Sequence, residues 1–226
     1  WGIESLPGVK AAEYRLTSSA DEKHQVYSFC MCPGGMVVPA TAYKGSNIVN
    51  GMSMYGRDAK FANAACVASL NLSQLLNREV SAIESLDWVE KLEQKFFDFS
   101  GSYQAPYCRI EDFITQKTSS LAVETSYPLG LVSSPLWELL PEEISEAMKV
   151  GLLDFNRKMK GFEKGILLGL ESKTSSSIQV LREKSGLCEG FKNLYMLGEG
   201  SGYAGGIISS AADGVKGAMH LVNNAG

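Results

Sequence analysis

The sequence predicts a mixed α/β fold of the α+β kind, on three observations. Residues 1–80 carry short alternating and β-branched runs separated by turn residues. From about Ser81 to Gly161 the apolar spacing becomes helical. After Gly161 β-type runs return and lead to an apolar run, a glycine cluster and a second helical pattern. The expected organisation is a β-rich lobe over 1–80, a helical insertion over 81–161, a returning β pair over 162–190 and a closing strand and helix over 191–226.

In the first segment, Glu13–Thr17, Gln25–Cys32, Met36–Ala40 and Asn47–Met52 are the expected strands. The turns between them are Asp21-Glu22-Lys23, Pro33-Gly34-Gly35 and Lys44-Gly45-Ser46. Proline followed by two glycines predicts a tight reversal, so Cys30–Cys32 and Met36–Val38 are expected on adjacent antiparallel strands. Ala62–Leu70 suits a buried strand or the start of a helix, and a strand is favoured. In the second segment Ile83, Leu86, Val89, Leu92 and Phe96 form one helical stripe, and Arg109–Lys117 fits a short helix. Thr118–Ser134 is expected as a loop. Ser134-Pro135 is a helix start, with serine as N-cap and proline at the first helical position. Pro141 restarts or kinks the helix, whose buried stripe is Leu140, Ile144, Met148, Phe155 and Met159. Arg157, Lys158, Lys160 and Gly161 end it. Gly165–Glu171 and Ile178–Glu183 form the returning pair.

Composition narrows the function classes. The chain has 226 residues, 45% of them hydrophobic, enough for a sizeable core. Its 21 basic and 25 acidic residues give a net charge of −4 with no basic cluster, which argues against nucleic-acid binding. No apolar run approaches membrane-spanning length. Five irregularly spaced cysteines argue against a disulfide framework and for a reducing compartment such as the cytoplasm. His24 and His220 lack metal-ligand spacing and are expected at the surface, so no metal site is expected.

The last segment carries the chemistry. Leu194-Tyr195-Met196-Leu197 is expected as a buried strand. It breaks into Gly198, Gly200, Gly202, Gly205 and Gly206, and a helix follows through Ile207, Ile208, Ala211, Val215, Ala218 and Val222. That order aims a helix N-terminus, with its unpaired N–H groups, at an anion or an electron-rich carbonyl. The literal G-x-G-x-x-G at Gly200, Gly202 and Gly205 lacks the second strand and the acidic residue of a dinucleotide fingerprint, because Gly226 follows directly after the helix. Glu199, between two glycines at a strand end, is placed to accept hydrogen bonds from sugar or polyol hydroxyls.

Gly198-Glu199-Gly200-Ser201-Gly202-Tyr203-Ala204-Gly205-Gly206-Ile207 resembles the last motif of a family of FAD-dependent, dehydrogenase-like flavoproteins of uncertain substrate. Tyr27–Gly35, Asn50-Gly51-Met52-Ser53 and Glu171–Ser176 match the same family in order. The resemblance implies the C-terminal part of an FAD-dependent oxidoreductase. In it an FAD-binding Rossmann-like domain is interrupted by β-rich and helical domains and completed by the closing strand and helix. It implies FAD as cofactor, with NAD(P)H a candidate electron donor and an unassigned small-molecule substrate. It gives Glu199 the ribityl side of the flavin and sets Gly205, Gly206 and Ile207 at the helix start facing the ring. Gly198, Gly200, Gly202, Tyr203, Thr174 and Ser175 join the cofactor-binding set. Ser201 stands where the family has alanine, and Ser172–Ser177 replaces Thr-Arg-Thr-Ser-Ser-Pro, so a lysine stands where the family's arginine would offer a planar fork. The N-terminal FAD fingerprint is absent from this chain, and a non-catalytic interaction module that keeps the fold without cofactor is the rival reading.

Cys30-Met31-Cys32 invites a redox role. Along a strand the two cysteines share a face about 6–7 Å apart, near the limit for a disulfide. Two readings stand: two small buried residues ahead of a turn, or the candidate catalytic residues, one thiolate assisting substrate chemistry. Cys66, Cys108 and Cys188 are expected as packing residues.

Overall fold

A computed structural model describes residues 16–20, 24–119, 121–174, 176 and 178–224. The 21–23 turn, Ser175, Ser177 and the first residues of the Glu13–Thr17 run lie outside that set. The chain divides into two compact units. The first is Trp1–Arg78 with Glu90–Glu171, and the second is Glu79–Val89 with Ser172–Gly226.

The first unit is mixed α/β. Its larger sheet has β1 (Thr17–Ser19), β2 (Gln25–Pro39), β3 (Val49–Ser53) and β4 (Phe61–Ala68), all pairings antiparallel. Strand β4 confirms the strand expected over Ala62–Leu70. The Pro33-Gly34-Gly35 reversal does not occur: β2 runs unbroken through it. Its start pairs β1, its second half pairs β3, and β4 runs along it from Val26 to Gly35. The register shifts twice against β4, between Phe29 and Cys32 and between Cys32 and Gly35, with Cys30 at φ 49° and Gly34 at φ 52°. These glycines serve close approach instead of reversal. A Cβ on Gly34 would lie 1.8 Å from the Arg57 carbonyl oxygen, and one on Gly35 would lie 2.2 Å from that of Met52.

After β4 come α1 (Leu72–Leu75) and α2 (Ala82–Ser100). Helix α2 opens with a reciprocal cap: the Glu84 N–H donates to Ser81 Oγ and the Ser81 N–H donates to Glu84 Oε2. Of its expected stripe Phe96 is buried, whereas Ile83 is exposed. Strand β5 (Ala105–Arg109) leads straight into α3 (Ile110–Thr115), the short helix expected there. Strand β6 (Leu131–Ser133) emerges from the expected loop and pairs parallel to β5, while β7 (Ile166–Leu168) pairs antiparallel on the other side.

Helices α4 (Leu136–Leu139) and α5 (Glu142–Lys158) start after Pro135 and Pro141. Pro135, not Ser134, occupies the cap position, and the Ser134 hydroxyl is buried with no hydrogen-bond partner among the described residues. Of the expected α5 stripe Ile144, Met148 and Phe155 enter the main core with Val26, Phe96 and Phe113, Leu140 and Met159 pack against it half-buried, and Leu152, outside that stripe, is fully buried among them. Glu142 and Glu143 lie at its positive end and Arg157 and Lys158 at its negative end. His24 corrects another expectation: it is buried, with Nε2 3.8 Å from the Glu143 carboxylate.

The second unit departs most from the sequence expectation. Ile178–Glu183 and Leu194–Leu197 form no ladder among the described residues. They contribute only single bridges, Arg182 to Cys188 and Leu187 to Tyr195. Leu194 and Met196 are exposed, so the buried strand expected at 194–197 is corrected. Helix α6 (Ile207–Asn223) forms as expected, but its apolar stripe is bare: Ile207, Ile208 and Val222 are 85%, 82% and 75% exposed. The opposite face is the packed one. A Cβ on Gly217 would sit 2.4 Å from Leu197 Cδ1, and His220 Nδ1 lies 3.2 Å from the Tyr195 hydroxyl.

Candidate cofactor-facing turn

The Gly198–Ile207 turn lies wholly in the second unit, and its conformation requires its glycines. Gly198 has φ 77° and ψ −161°, and Gly202 has φ 83° and ψ 10°, both in regions side chains avoid. Between them Glu199–Ser201 makes one 3-10 turn. The Ser201 hydroxyl donates to the Gly198 carbonyl at 2.6 Å, and the Gly202 N–H donates to the Glu199 carbonyl at 2.9 Å.

The 178–182 segment holds the turn from one side. The Val180 N–H donates to the Ser201 carbonyl at 3.0 Å, and the Tyr203 hydroxyl donates to the Val180 carbonyl at 2.9 Å. Ser201 is buried at the centre of these bonds. Tyr203 is half-exposed, and the Arg182 guanidinium lies 4.0 Å from its ring centroid. On the other side α6 supplies Asp213. Its carboxylate accepts the Gly198 N–H at 2.9 Å and the Arg182 Nη2 at 3.0 and 3.1 Å. The Gly198 N–H first, and Arg182 after it, hold the Asp213 carboxyl below the usual carboxylate range.

What the turn presents outward is open. Beyond the chain neighbours of each glycine, no atom of the described residues lies within 4 Å of where a Cβ would stand on Gly200 or Gly205. Glu199 is exposed, and among the described residues no hydrogen bond or ion pair engages its carboxylate. Gly206 precedes α6, and its N–H donates to Ser209 Oγ at 3.0 Å. A glycine has no side chain to return that bond, so the amides of the first helical turn lack a side-chain cap. Gly198, Glu199, Gly200, Gly202, Tyr203, Gly205, Gly206 and Ile207 are thus assembled by contiguity. Thr174 is half-buried, and no hydrogen bond joins it to this turn among the described residues. Arg182 and Asp213 escaped the sequence reading, since no local periodicity links residues 31 positions apart.

Cys30 and Cys32 belong to the first unit. The bulge at Cys30 breaks the alternation that would set them on one face: Cys30 is exposed and Cys32 half-buried. Burial first, and the nearby Glu171 carboxylate second, push the Cys32 thiol up and the Cys66 thiol up to about 12. Burial likewise lifts Cys108 to about 12 and raises the Glu171 carboxyl. A maleimide at pH 8 is therefore expected to label Cys30 roughly 100-fold faster than Cys66 or Cys108, because the thiolate is the reactive form. Peptide mass mapping over time checks this, and equal rates would contradict the burial described. Among the described residues no group of three or more His, Cys, Asp or Glu could hold a metal, and no helix is long and apolar enough to cross a membrane.

Residues 2–174 match the family described as FAD-dependent protein, C-terminal domain-like. An uncharacterized protein of Clostridium beijerinckii is 38% identical over 222 residues, which cover 96% of this chain and 41% of that relative. The chain therefore spans less than half the length of the curated relative it matches. The family match ends at Thr174, close to where the second unit resumes at Ser172, whereas the similarity to the relative extends over nearly the whole chain.

Proposed function

Given that the chain belongs to the family of FAD-dependent proteins with this C-terminal domain, we propose that it is the C-terminal portion of an FAD-dependent oxidoreductase. Its second unit would complete the cofactor site. The observation that carries this reading is the Gly198–Ile207 turn, held rigidly from behind and open in front, and running directly into α6. The residues present fit the group. The open faces of Gly200 and Gly205 leave room for close approach of a flat, polar ligand to the backbone. Glu199 offers an acceptor carboxylate for the ribityl hydroxyls.

The amides at the start of α6 would face the electron-rich edge of the flavin ring. A helix N-terminus stabilises negative charge there by a few tenths to about 2 kcal/mol. FAD, when bound, supplies the hydride or electron transfer; the chain's own part is orientation and electrostatics. The bare stripe of α6 and the exposed Leu194 and Met196 suit burial against a nucleotide-binding sheet formed by the rest of the longer protein. Their pairing groups at 178–183 and 194–197 would then gain strand neighbours and complete a Rossmann-like domain.

The test uses the full-length protein. Wild type purified under native conditions is expected to retain flavin. Glu199→Ala is expected to raise the Kd for FAD roughly 10- to 100-fold, from the ~1.5–3 kcal/mol of hydrogen bonding to a charged group. Equilibrium dialysis with flavin fluorescence measures it. An unchanged Kd removes the ribityl assignment. Wild type that neither carries nor takes up FAD removes the enzyme reading in favour of a non-catalytic module.

A further inference from the structure

Asp213 stands at the junction of the three pieces that make up the second unit's turn. It lies on α6 one turn before Gly217 and two turns before His220, on the packed face of the helix. Its Oδ2 takes the Gly198 N–H, and both its oxygens take Arg182 Nη2. Arg182 in turn stacks on Tyr203. The Arg182 side chain is only 4% exposed, yet its Nε and Nη1 have no acceptor among the described residues.

Helix attachment alone does not account for this arrangement. A buried ion pair with unsatisfied donors is a poor adhesive, and apolar residues of similar volume generally hold a helix as well or better. The Leu197–Gly217 contact already fastens α6 closely. The ion pair adds direction: it fixes a carboxylate oxygen on one amide, that of Gly198, whose φ and ψ lie where almost only glycine goes. Ser201 holds the Gly198 carbonyl, through its hydroxyl at 2.6 Å and its N–H at 3.3 Å; Asp213 holds the amide, and without that acceptor the N–H side would rest on glycine's own preference, which is slight.

We infer that Asp213 is a positioning residue, which, oriented by Arg182, holds the Gly198 amide so that Glu199 and the start of α6 meet the flavin in one fixed geometry. The inference rests on the flavin reading above. It uses no contact between Asp213 and the cofactor. Asp213 acts from behind the turn, through the backbone, and Tyr203 limits where the Arg182 plane can lie.

The experiment compares Asp213→Ala and Asp213→Asn in the full-length protein, reading the Kd for FAD, the flavin midpoint potential and amide hydrogen exchange at Gly198. Asp213→Ala removes the acceptor. It is expected to weaken FAD binding about tenfold or more, the scale of one charge-assisted bond, to shift the potential, and to release Gly198 amide protection. Asp213→Asn keeps an acceptor oxygen for the Gly198 N–H and is expected to retain protection and to stay within about threefold of wild type in Kd, while the buried Arg182 left without its counter-charge lowers Tm. Asp213→Thr, whose hydroxyl is too short to reach, replaces the alanine variant if that one does not fold. A merely structural residue would lower Tm while leaving Kd and potential unmoved, and that result overturns the inference. So does equal damage by alanine and asparagine. The exchange measurement needs no flavin: an unprotected Gly198 amide in wild type defeats the inference by itself, while wild type without flavin affinity but with Gly198 protected defeats the flavin reading instead.

Discussion

Gly202→Ala is expected to abolish flavin retention by the full-length protein and to loosen the second unit. Two effects add. The residue sits at φ 83°, where an alanine costs about 1–2 kcal/mol relative to glycine. Its new Cβ would also stand 2.3 Å from the Ile178 carbonyl oxygen and 2.8 Å from Gln179 Cα. Both are backbone atoms, so no side-chain rotation relieves the overlap. The 178–180 segment would have to withdraw, breaking the Val180–Ser201 and Tyr203–Val180 hydrogen bonds that hold the turn from behind. A combined loss of roughly 3–5 kcal/mol follows from strain together with two lost bonds. Flavin content and limited proteolysis of the second unit measure it. Gly200→Ala is the control: beyond its chain neighbours its Cβ meets none of the described residues within 4 Å, so the fold should tolerate it. A fall in FAD affinity with unchanged Tm in that variant would locate the cofactor over Gly200. A Gly202→Ala protein that binds FAD like wild type would show that the turn does not have the described geometry.

The contrast between Gly202 and Gly34 shows what a sequence can and cannot disclose about its glycines. Each sits where a side chain is excluded by a neighbouring backbone, at Ile178 and at Arg57. Next to Pro33, local turn chemistry predicted a reversal at Gly34-Gly35. The competing effect was tertiary: β3, β4 and the loop between them press on β2, and two bulges take up the irregularity without turning the chain. Elements defined by their own periodicity were legible. Helix α5 has its stripe from Ile144 to Phe155, whereas the short run that became β4 suited a strand or a helix start, and the favoured strand formed. The 178–183 and 194–197 runs have strand composition but only isolated bridges here, because a strand needs a neighbour and composition does not name one. Helix α6 carries the same lesson on its surface. Its amphipathic pattern foretold a buried face, while the described residues cover only the side bearing Asp213 and Gly217. Within the candidate site the contiguous Gly198–Ile207 motif was readable, but the Arg182–Asp213 brace was not, since its geometry exists only once α6 has folded back.

Gly151→Ala offers a test of the first unit in which two principles disagree on the sign. In an exposed helix interior, alanine for glycine stabilises by up to about 1 kcal/mol, through the smaller entropy lost on folding. Gly151 is instead buried in the middle of α5, where the helix crosses β2, and its added Cβ would fall 2.4 Å from Val26 Cγ1, 2.6 Å from Val26 Cβ and 2.9 Å from Val26 Cγ2. Val26 cannot move aside. It is fully buried, β-branched and stiff at χ1, and its backbone is paired with β1 and β4. Overpacking of this kind costs about 1–3 kcal/mol and should outweigh the helical gain. Gly151→Ala is therefore expected to destabilise the protein, read as a lower midpoint in urea at unchanged m-value. Val26→Ala alone should also destabilise, by the apolar contacts it removes. The double variant should be more stable than the sum of the two losses by about 1 kcal/mol or more, because the methyl added on α5 occupies space vacated on β2. Strict additivity, or a stabilising Gly151→Ala, would mean that α5 and β2 do not make the close crossing on which the first unit's core is built.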